Sequence, residues 1–446
     1  YRWNGTDITI FGGFIKGIQK SDQGEESLVL RSLSPLPIVE MKASNGAENK
    51  VSITLENINP DYYAQSIQKG FFPIRSAVNT LAFSFTLKAG EIKKLDPTLT
   101  ANTESSNYVI LGDNRDGYDT FDQIIDQVNA LRPAFVIDNG DLVFSGKPNQ
   151  YRAFDRAICK LSTTLCTSLG NHDIRRGGRE IYTKLYGPGY YSFDFGNSHF
   201  AFLDSSPGWL EKQAISEEQY AWLERDLKKA QGRKIFVITH VPPEDPRSGT
   251  QPNNISAYID KVKKEGGFIE EKLDAYVENE SMNHGFQDKS EALRFENLMT
   301  KYKVNTAYLS HIHSYYNFSK NGVRYIISGG AGAELLTKNS YYHYLISKTD
   351  NANFLTMVEL PSPKNTIIKR YLATAALFAD AMFVENRAAV ISFLVGLFIF
   401  AALLLLLFYI KFKHGLILLW TLLKDTGRFM RKRFGKLKTV KSYNKE

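Results

Sequence analysis

Five short segments hold the residue types that can do chemistry. They read Gly112-Asp113-Asn114-Arg115, Gly140-Asp141, Gly170-Asn171-His172-Asp173, Thr239-His240-Val241-Pro242-Pro243 and Ser310-His311-Ile312-His313. Carboxylates mixed with imidazoles suit Mn²⁺, Fe or Zn²⁺ better than Ca²⁺. Two cations held close together need a shared anionic ligand, and Asp141 is the candidate bridge. His311 and His313 lie one residue apart at a strand end, so each can reach a different ion.

These segments need elements that bring them together. From Tyr108 onward, apolar β-type runs alternate with helical ones. Strands are expected at Tyr108–Leu111, Ala134–Ile137, Leu165–Leu169, Phe200–Asp204, Ile235–Thr239, Thr306–Ser310 and Tyr325–Gly330. Helices are expected at Phe121–Leu131, Gln150–Lys160, Glu217–Ala230 and Phe295–Tyr302. Each candidate segment follows a strand. In an α/β sheet the loops at the carboxyl ends of strands gather at one edge, which assembles Asp113, Asp141, Asn171, His172, His240, His311 and His313 in one cleft. Residues 244–290 read as a long polar insertion of lid type. Residues 1–105 look all-β, with turn clusters such as Asn45-Gly46 and Asn59-Pro60-Asp61 and an alternating run Leu81–Leu87. They predict a small β-sandwich that contains no His.

The five segments, in this order, resemble the calcineurin-like metallophosphoesterase superfamily. Their spacings of 28, 30, 69 and 71 residues suit that layout, and the likeness runs from about Tyr108 to Ile346. A β-sandwich ahead of such a domain is similar to the arrangement in purple acid phosphatases. The resemblance implies a two-metal centre. One ion takes Asp113, Asp141 and His313; the other takes Asp141, Asn171, His240 and His311. It implies that a bridging water made acidic by both ions supplies hydroxide for in-line attack on phosphorus. His172 then holds a phosphate oxygen or protonates the leaving alkoxide, and Asp173 orients its ring.

Two departures from the family pattern bear on that centre. The usual Asp-x-His is Asp113-Asn114-Arg115 here, and a guanidinium has no lone pair to give a metal. Phe144 stands where purple acid phosphatases have a ligating tyrosine. The first site is one protein ligand short and is expected to be weak, water-filled or empty. Arg115 either clamps a substrate phosphate or pairs with Asp116 or another acid. His284 either lines the cleft as a substrate-binding residue or lies in a surface loop. His199 reads as structural, and His343 as a weaker candidate for substrate contact.

The net charge of +8 is unevenly spread. Residues 411–446 hold 11 Lys/Arg against two acids, and the other 410 residues carry a net −1. The body therefore lacks the basic surface that nucleic-acid backbones require, and no nucleic-acid partner is expected. Ala388–Ile410 is a 23-residue run without a charge, long enough to cross a bilayer, and it reads as a membrane span in preference to a buried core helix. Lys/Arg enrichment after it places the C-terminus in the cytoplasm and the remainder outside. Leu416–Lys438 reads either as a helix on an anionic lipid surface or as a solvated tail. A start at Tyr1 rather than Met fits a removed secretory leader. Cys159 and Cys166 form a bridge or stay as two thiols.

The expectation is an α/β protein in five parts: a β-sandwich domain at 1–105, a metallophosphoesterase β-sandwich flanked by helices at 106–360, a linker at 361–387, one transmembrane helix at 388–410 and a basic amphipathic tail at 411–446. The expected activity is extracytoplasmic, membrane-anchored hydrolysis of a phosphomonoester or phosphodiester, with two divalent ions (Mn, Fe or Zn) as cofactors. Membrane lipids are the expected partners besides the substrate. A surface or assembly protein that keeps the fold without catalysis is the alternative.

Overall fold

The computed structural model describes residues 1–21, 23–44, 46, 48–67, 71–206, 214–247, 284–335, 340–361, 366–385 and 387–440. Residues 1–378 form one compact unit and 379–446 a second. Most of the polar insertion expected at 244–290 lies outside the described residues.

The chain begins with strands β1 (Arg2–Trp3), β2 (Thr6–Phe11), β3 (Gly13–Lys20), β4 (Glu26–Ser32), β5 (Ile38–Ala43) and β6 (Asn49–Glu56). Helix α1 (Pro60–Ser66) follows, then β7 (Ile74–Ala77), β8 (Thr80–Leu87) and β9 (Ile92–Leu95). They form two sheets, ordered β1-β2-β5-β9 and β3-β4-β6-β8-β7. Alternate residues of each strand turn inward. Ile8, Val39 and Met41 of the first sheet meet Leu30, Ile53, Leu55 and Phe83 of the second in one apolar core.

The second part contains β10 (Asn107–Leu111), α2 (Tyr118–Leu131), β11 (Phe135–Asp138), α3 (Pro148–Ile158), β12 (Thr164–Thr167), α4 (Gly178–Tyr186), β13 (Tyr191–Phe195), β14 (Ser198–Phe202), α5 (Glu217–Lys229) and β15 (Lys234–Ile238). It continues with α6 (Lys289–Lys301), β16 (Thr306–Leu309), β17 (Tyr315–Lys320), β18 (Val323–Ser328), β19 (His343–Lys348) and β20 (Leu355–Glu359). Its sheets run β12-β11-β10-β19-β20 and β13-β14-β15-β16-β18-β17. Period-two alternation divides their residues between layers. Tyr108, Ile110, Phe236 and Ile238 face the space between the sheets, where Phe135, Phe200 and Tyr308 join them. Val109 and Leu111 turn outward against α2, α3 and α4, and Ile235 and Val237 turn outward against α5 and α6. The result is the helix-flanked double sheet expected from the sequence. Neither cysteine is in a disulfide; both stay as thiols.

One side chain splices the two parts together. Asn57 sits in the left-handed region (φ 62°). Its Nδ2 donates to the Leu165 carbonyl (2.9 Å) and to that of Ser32 (2.8 Å), while its Oδ1 accepts the Leu165 N–H (3.0 Å). The amide thus pairs with the edge strand β12 as a one-residue strand would, and satisfies polar groups that are otherwise exposed at a sheet edge.

Helix α7 (Thr366–Glu385) packs Ala373, Leu377 and Phe378 on the α2/α3 core, and Arg370 donates to the Gly332 carbonyl (2.8 Å). In the second unit, α8 (Arg387–Val440) is a single 54-residue helix. Its stretch Arg387–Arg431 is apolar and long enough to cross a membrane. No break separates residues 388–410 from the basic segment, because Lys411 and Lys413 are good helix formers and nothing there caps the helix.

Two stability measurements follow from these contacts. Asn57→Ala removes three buried hydrogen bonds and orphans groups of β12, so it should cost about 3 kcal/mol, read from denaturant midpoints. His199 joins β14 to α5 by holding Asp194 on Nδ1 (2.7 Å) and Asp226 on Nε2 (2.9 Å). Burial alone would lower its pKa, but the two carboxylates outweigh that and raise it to about 9. The raised value makes the clamp's contribution complete below about pH 6.5. It should be lost as pH rises through about 9. The melting temperature of the wild type should therefore converge on that of His199→Gln above that pH.

Candidate metal centre

Five strands deliver the site. β10, β11 and β12 run parallel in one sheet, and β15 and β16 run parallel in the other. Their carboxyl ends open on the same end of the sandwich. Just beyond them the backbone reverses sharply. Asp113 (φ 58°), Arg115 (φ 40°), Asp141 (φ 56°) and His311 (φ 70°) all occupy the left-handed region that favours glycine. Strain of this kind persists where the surroundings over-determine it. Here main-chain bonds do so. Asp113 N donates to Gly140 O (3.0 Å) and Arg115 N to Asp141 O (2.9 Å). Gly170 permits a close approach to Asp141. A Cβ there would meet the Asp141 N and Oδ1 at 2.2 Å.

Asp113, Asp141 and His313 are buried, and each offers a ligand atom within 4.8 Å of the others. His313 Nδ1 lies 2.6 Å from the Glu334 carbonyl, and His240 Nδ1 lies 2.8 Å from that of Asn139. A carbonyl only accepts, so both rings carry their proton on Nδ1 and turn the Nε2 lone pair inward. His313 Nε2 stands 3.7 Å from Asp113 Oδ1, and His240 Nε2 stands 3.3 Å from Asp141 Oδ1. Asp113 Oδ1 and His313 Nε2 have no hydrogen-bond partner among the described residues. Lone pairs facing lone pairs in a buried pocket repel one another, and a cation between them removes the conflict. The residues fit a divalent ion.

The electrostatics agree. Burial holds the imidazoles of His240 and His313 below their usual range, keeping them neutral as ligands must be. Burial, with Asp141 beside it, pushes Asp113 well above the usual carboxylate range. Burial also acts on Asp141, but the permanent charge of Arg115 beside it opposes that effect, and Asp141 is held well below the usual carboxylate range.

The remaining candidates gather around this group. Asn171 Oδ1 lies 3.3 Å from His240 Nε2. His311 donates its N–H to Asp113 Oδ2 (2.9 Å), and its ring stands 5.2 Å from that of His240. His284 is buried, with its ring 5.0 Å from His311 and neither nitrogen hydrogen-bonded among the described residues. His172 donates its backbone N–H to Asp141 Oδ1 (3.0 Å), and its Nδ1 sits 2.5 Å from the Phe144 carbonyl.

Two details are added to the expected site. The His172 ring is held at Nδ1 by that main-chain carbonyl. Asp173 ties the loops, accepting from Val143 N (3.0 Å) and Gly170 N (2.8 Å). Of the alternatives open to Arg115, the structure shows the pair with another acid, Asp141. Its Nε and Nη2 reach Asp141 Oδ2 at 3.1 and 3.0 Å, both groups being buried. His343 lies behind the site, with Nε2 3.1 Å from Ser328 Oγ.

Asn139 was not singled out in the sequence. Its Nδ2 donates to the carbonyls of Thr239 (3.0 Å) and Tyr308 (3.2 Å), and its Oδ1 accepts from Ser168 Oγ (2.7 Å). It locks the two sheets together beneath the ligands. Its place directly before Gly140-Asp141 was the available signal.

Residues 106–315 match the family model of the calcineurin-like phosphoesterases. A glycerophosphodiester phosphodiesterase, GpdQ, of Enterobacter lignolyticus is 29% identical over 130 residues, which cover 27% of this chain and 46% of that protein. The chain thus spans about half the length of this curated relative. Among solved structures, a purple acid phosphatase of yellow lupin aligns over 73% of this chain and 69% of its own, at 14% identity and a TM-score of 0.43. GAP50, the anchor in the inner membrane complex of Plasmodium, aligns over 60% of this chain and 95% of its own, at 12% identity and a TM-score of 0.38. The family model matches the stretch from β10 through β16, which carries Asp113, Asp141, Asn171, His172, His240, His311 and His313, and over that stretch the chain is similar to the calcineurin-like phosphoesterases.

Proposed function

We propose that the chain is a metal-dependent phosphohydrolase anchored in a membrane by α8, with its catalytic unit on the extracytoplasmic side. The observation that carries this reading is the inward convergence of Asp113 Oδ1, His313 Nε2 and the Asp141 carboxylate in a buried pocket. Asp113, Asp141 and His313 hold a divalent ion (Mn, Fe or Zn), with His240, Asn171 and His311 beside them. When bound, the ion supplies Lewis acidity toward water and phosphoryl oxygens. His172, pinned through Nδ1, presents Nε2 as the atom that passes a proton to the leaving alkoxide or holds a phosphate oxygen. Asp173 keeps the loop beneath it rigid. His284 contacts the substrate from across the cleft.

The substrate is a phosphomonoester or a phosphodiester; a relative named as a phosphodiesterase favours the diester. The apolar stretch of α8 and the basic residues after it support the anchor and its orientation. The Arg115–Asp141 pair favours a second reading, a surface or assembly protein that keeps the fold and does no catalysis.

Turnover of p-nitrophenyl phosphate and bis-p-nitrophenyl phosphate by the full chain in detergent, with each metal supplied, separates the two. Under the enzymatic reading Asp113→Asn abolishes turnover. His172→Ala lowers kcat by about 10²–10⁴-fold while bound metal, measured by elemental analysis, stays constant. Metal binding without turnover of either ester in the wild type would support the assembly protein.

A further inference from the structure

A carboxylate that bridges two dications gives an oxygen to each. In this chain one oxygen of Asp141 is already committed. Two nitrogens of Arg115 lie on Oδ2 at 3.0 and 3.1 Å. The arrangement is built in rather than incidental. The Arg115 backbone is itself bonded to the Asp141 carbonyl at 2.9 Å, from a left-handed conformation that few arginines adopt. A guanidinium does not give up its proton, so this is a permanent positive charge buried against the candidate bridging ligand. The acceptors that need a cation, Asp113 Oδ1 and His313 Nε2, are grouped with Asp141, whose other oxygen, Oδ1, faces His240 Nε2. Among the described residues, Asp113, Asp141 and His313 are the one group of acids, histidines and cysteines drawn together tightly enough to hold an ion.

We propose that the guanidinium of Arg115 replaces one of the two cations, so that the centre holds a single divalent ion on Asp113, Asp141 and His313. The proposal rests on the metal-dependent reading above and sharpens it. The second positive charge at the bridging carboxylate belongs to the protein and cannot be exchanged or chelated.

The test loads the full chain, purified in detergent, with Mn²⁺. It reads ions per chain by elemental analysis and their coupling by electron paramagnetic resonance. The wild type should bind one Mn²⁺ and give the six-line signal of an isolated ion. Arg115→His, which removes the permanent charge and frees Asp141 Oδ2 for a second ion, should bind two and give an exchange-coupled spectrum. Should that variant not fold, Arg115→Gln serves: loss of the neighbouring charge should tighten the single ion by about tenfold. Two coupled ions in the wild type, or weaker binding by Arg115→Gln, would overturn the proposal and leave the hydrolase reading standing. No bound ion in the wild type at any Mn²⁺ concentration would overturn both.

Discussion

Everything at the end of the sandwich where the parallel strands finish is arranged around one buried anion. Asp141 has no solvent exposure, and an uncompensated carboxylate at such a position would cost many kcal/mol. The fold therefore surrounds it with positive ends. Arg115 meets one oxygen and the His172 N–H meets the other. These partners come from the ends of different strands. The strained backbone, the close-packed Gly170 and the locking amide of Asn139 can each be understood as conditions for bringing them within reach.

The same logic explains why the centre tolerates Arg115. A metal ion and a guanidinium differ in chemistry but agree in sign. Substituting one for the other leaves the electrostatic balance of Asp141 nearly intact while removing a Lewis acid. What is lost is the capacity to polarise a second oxygen; what is kept is the geometry of the loops.

Much of this was legible in the sequence because the chemistry is punctuated. Each ligand segment follows an apolar run of strand length, and the glycines of Gly112-Asp113, Gly140-Asp141 and Gly170-Asn171 mark where the chain must pass close to itself. Apolar runs such as Tyr108–Leu111 placed the strands, and the resemblance to the metallophosphoesterases implied that they form a double sheet. Other features left no such signal. The partner of Arg115 was a choice among several acids, and only the fold puts Asp141 next to it. The ring of His172 is held by a main-chain carbonyl, which no side chain advertises. Helix α4 and strands β17, β19 and β20 went unmarked, because short polar-apolar mixtures such as Gly178–Tyr186 fit several elements equally well. Lys411 looked like the end of a span, yet lysine favours a helix as much as leucine does.

The splice made by Asn57 has a consequence for how the chain is born. The amino-terminal sandwich is complete before Leu165 is synthesised, so β12 meets its side-chain partner as soon as it leaves the ribosome. The opposite flank is less fortunate. Strand β10 waits on one side for β19, whose register pairs Asn107 with Lys348. The sheet that carries Asp113 and Asp141 is thus sealed at its outer edge early and left open in its middle until β19 has emerged. Premature strand addition by a foreign chain is a hazard of that interval alone.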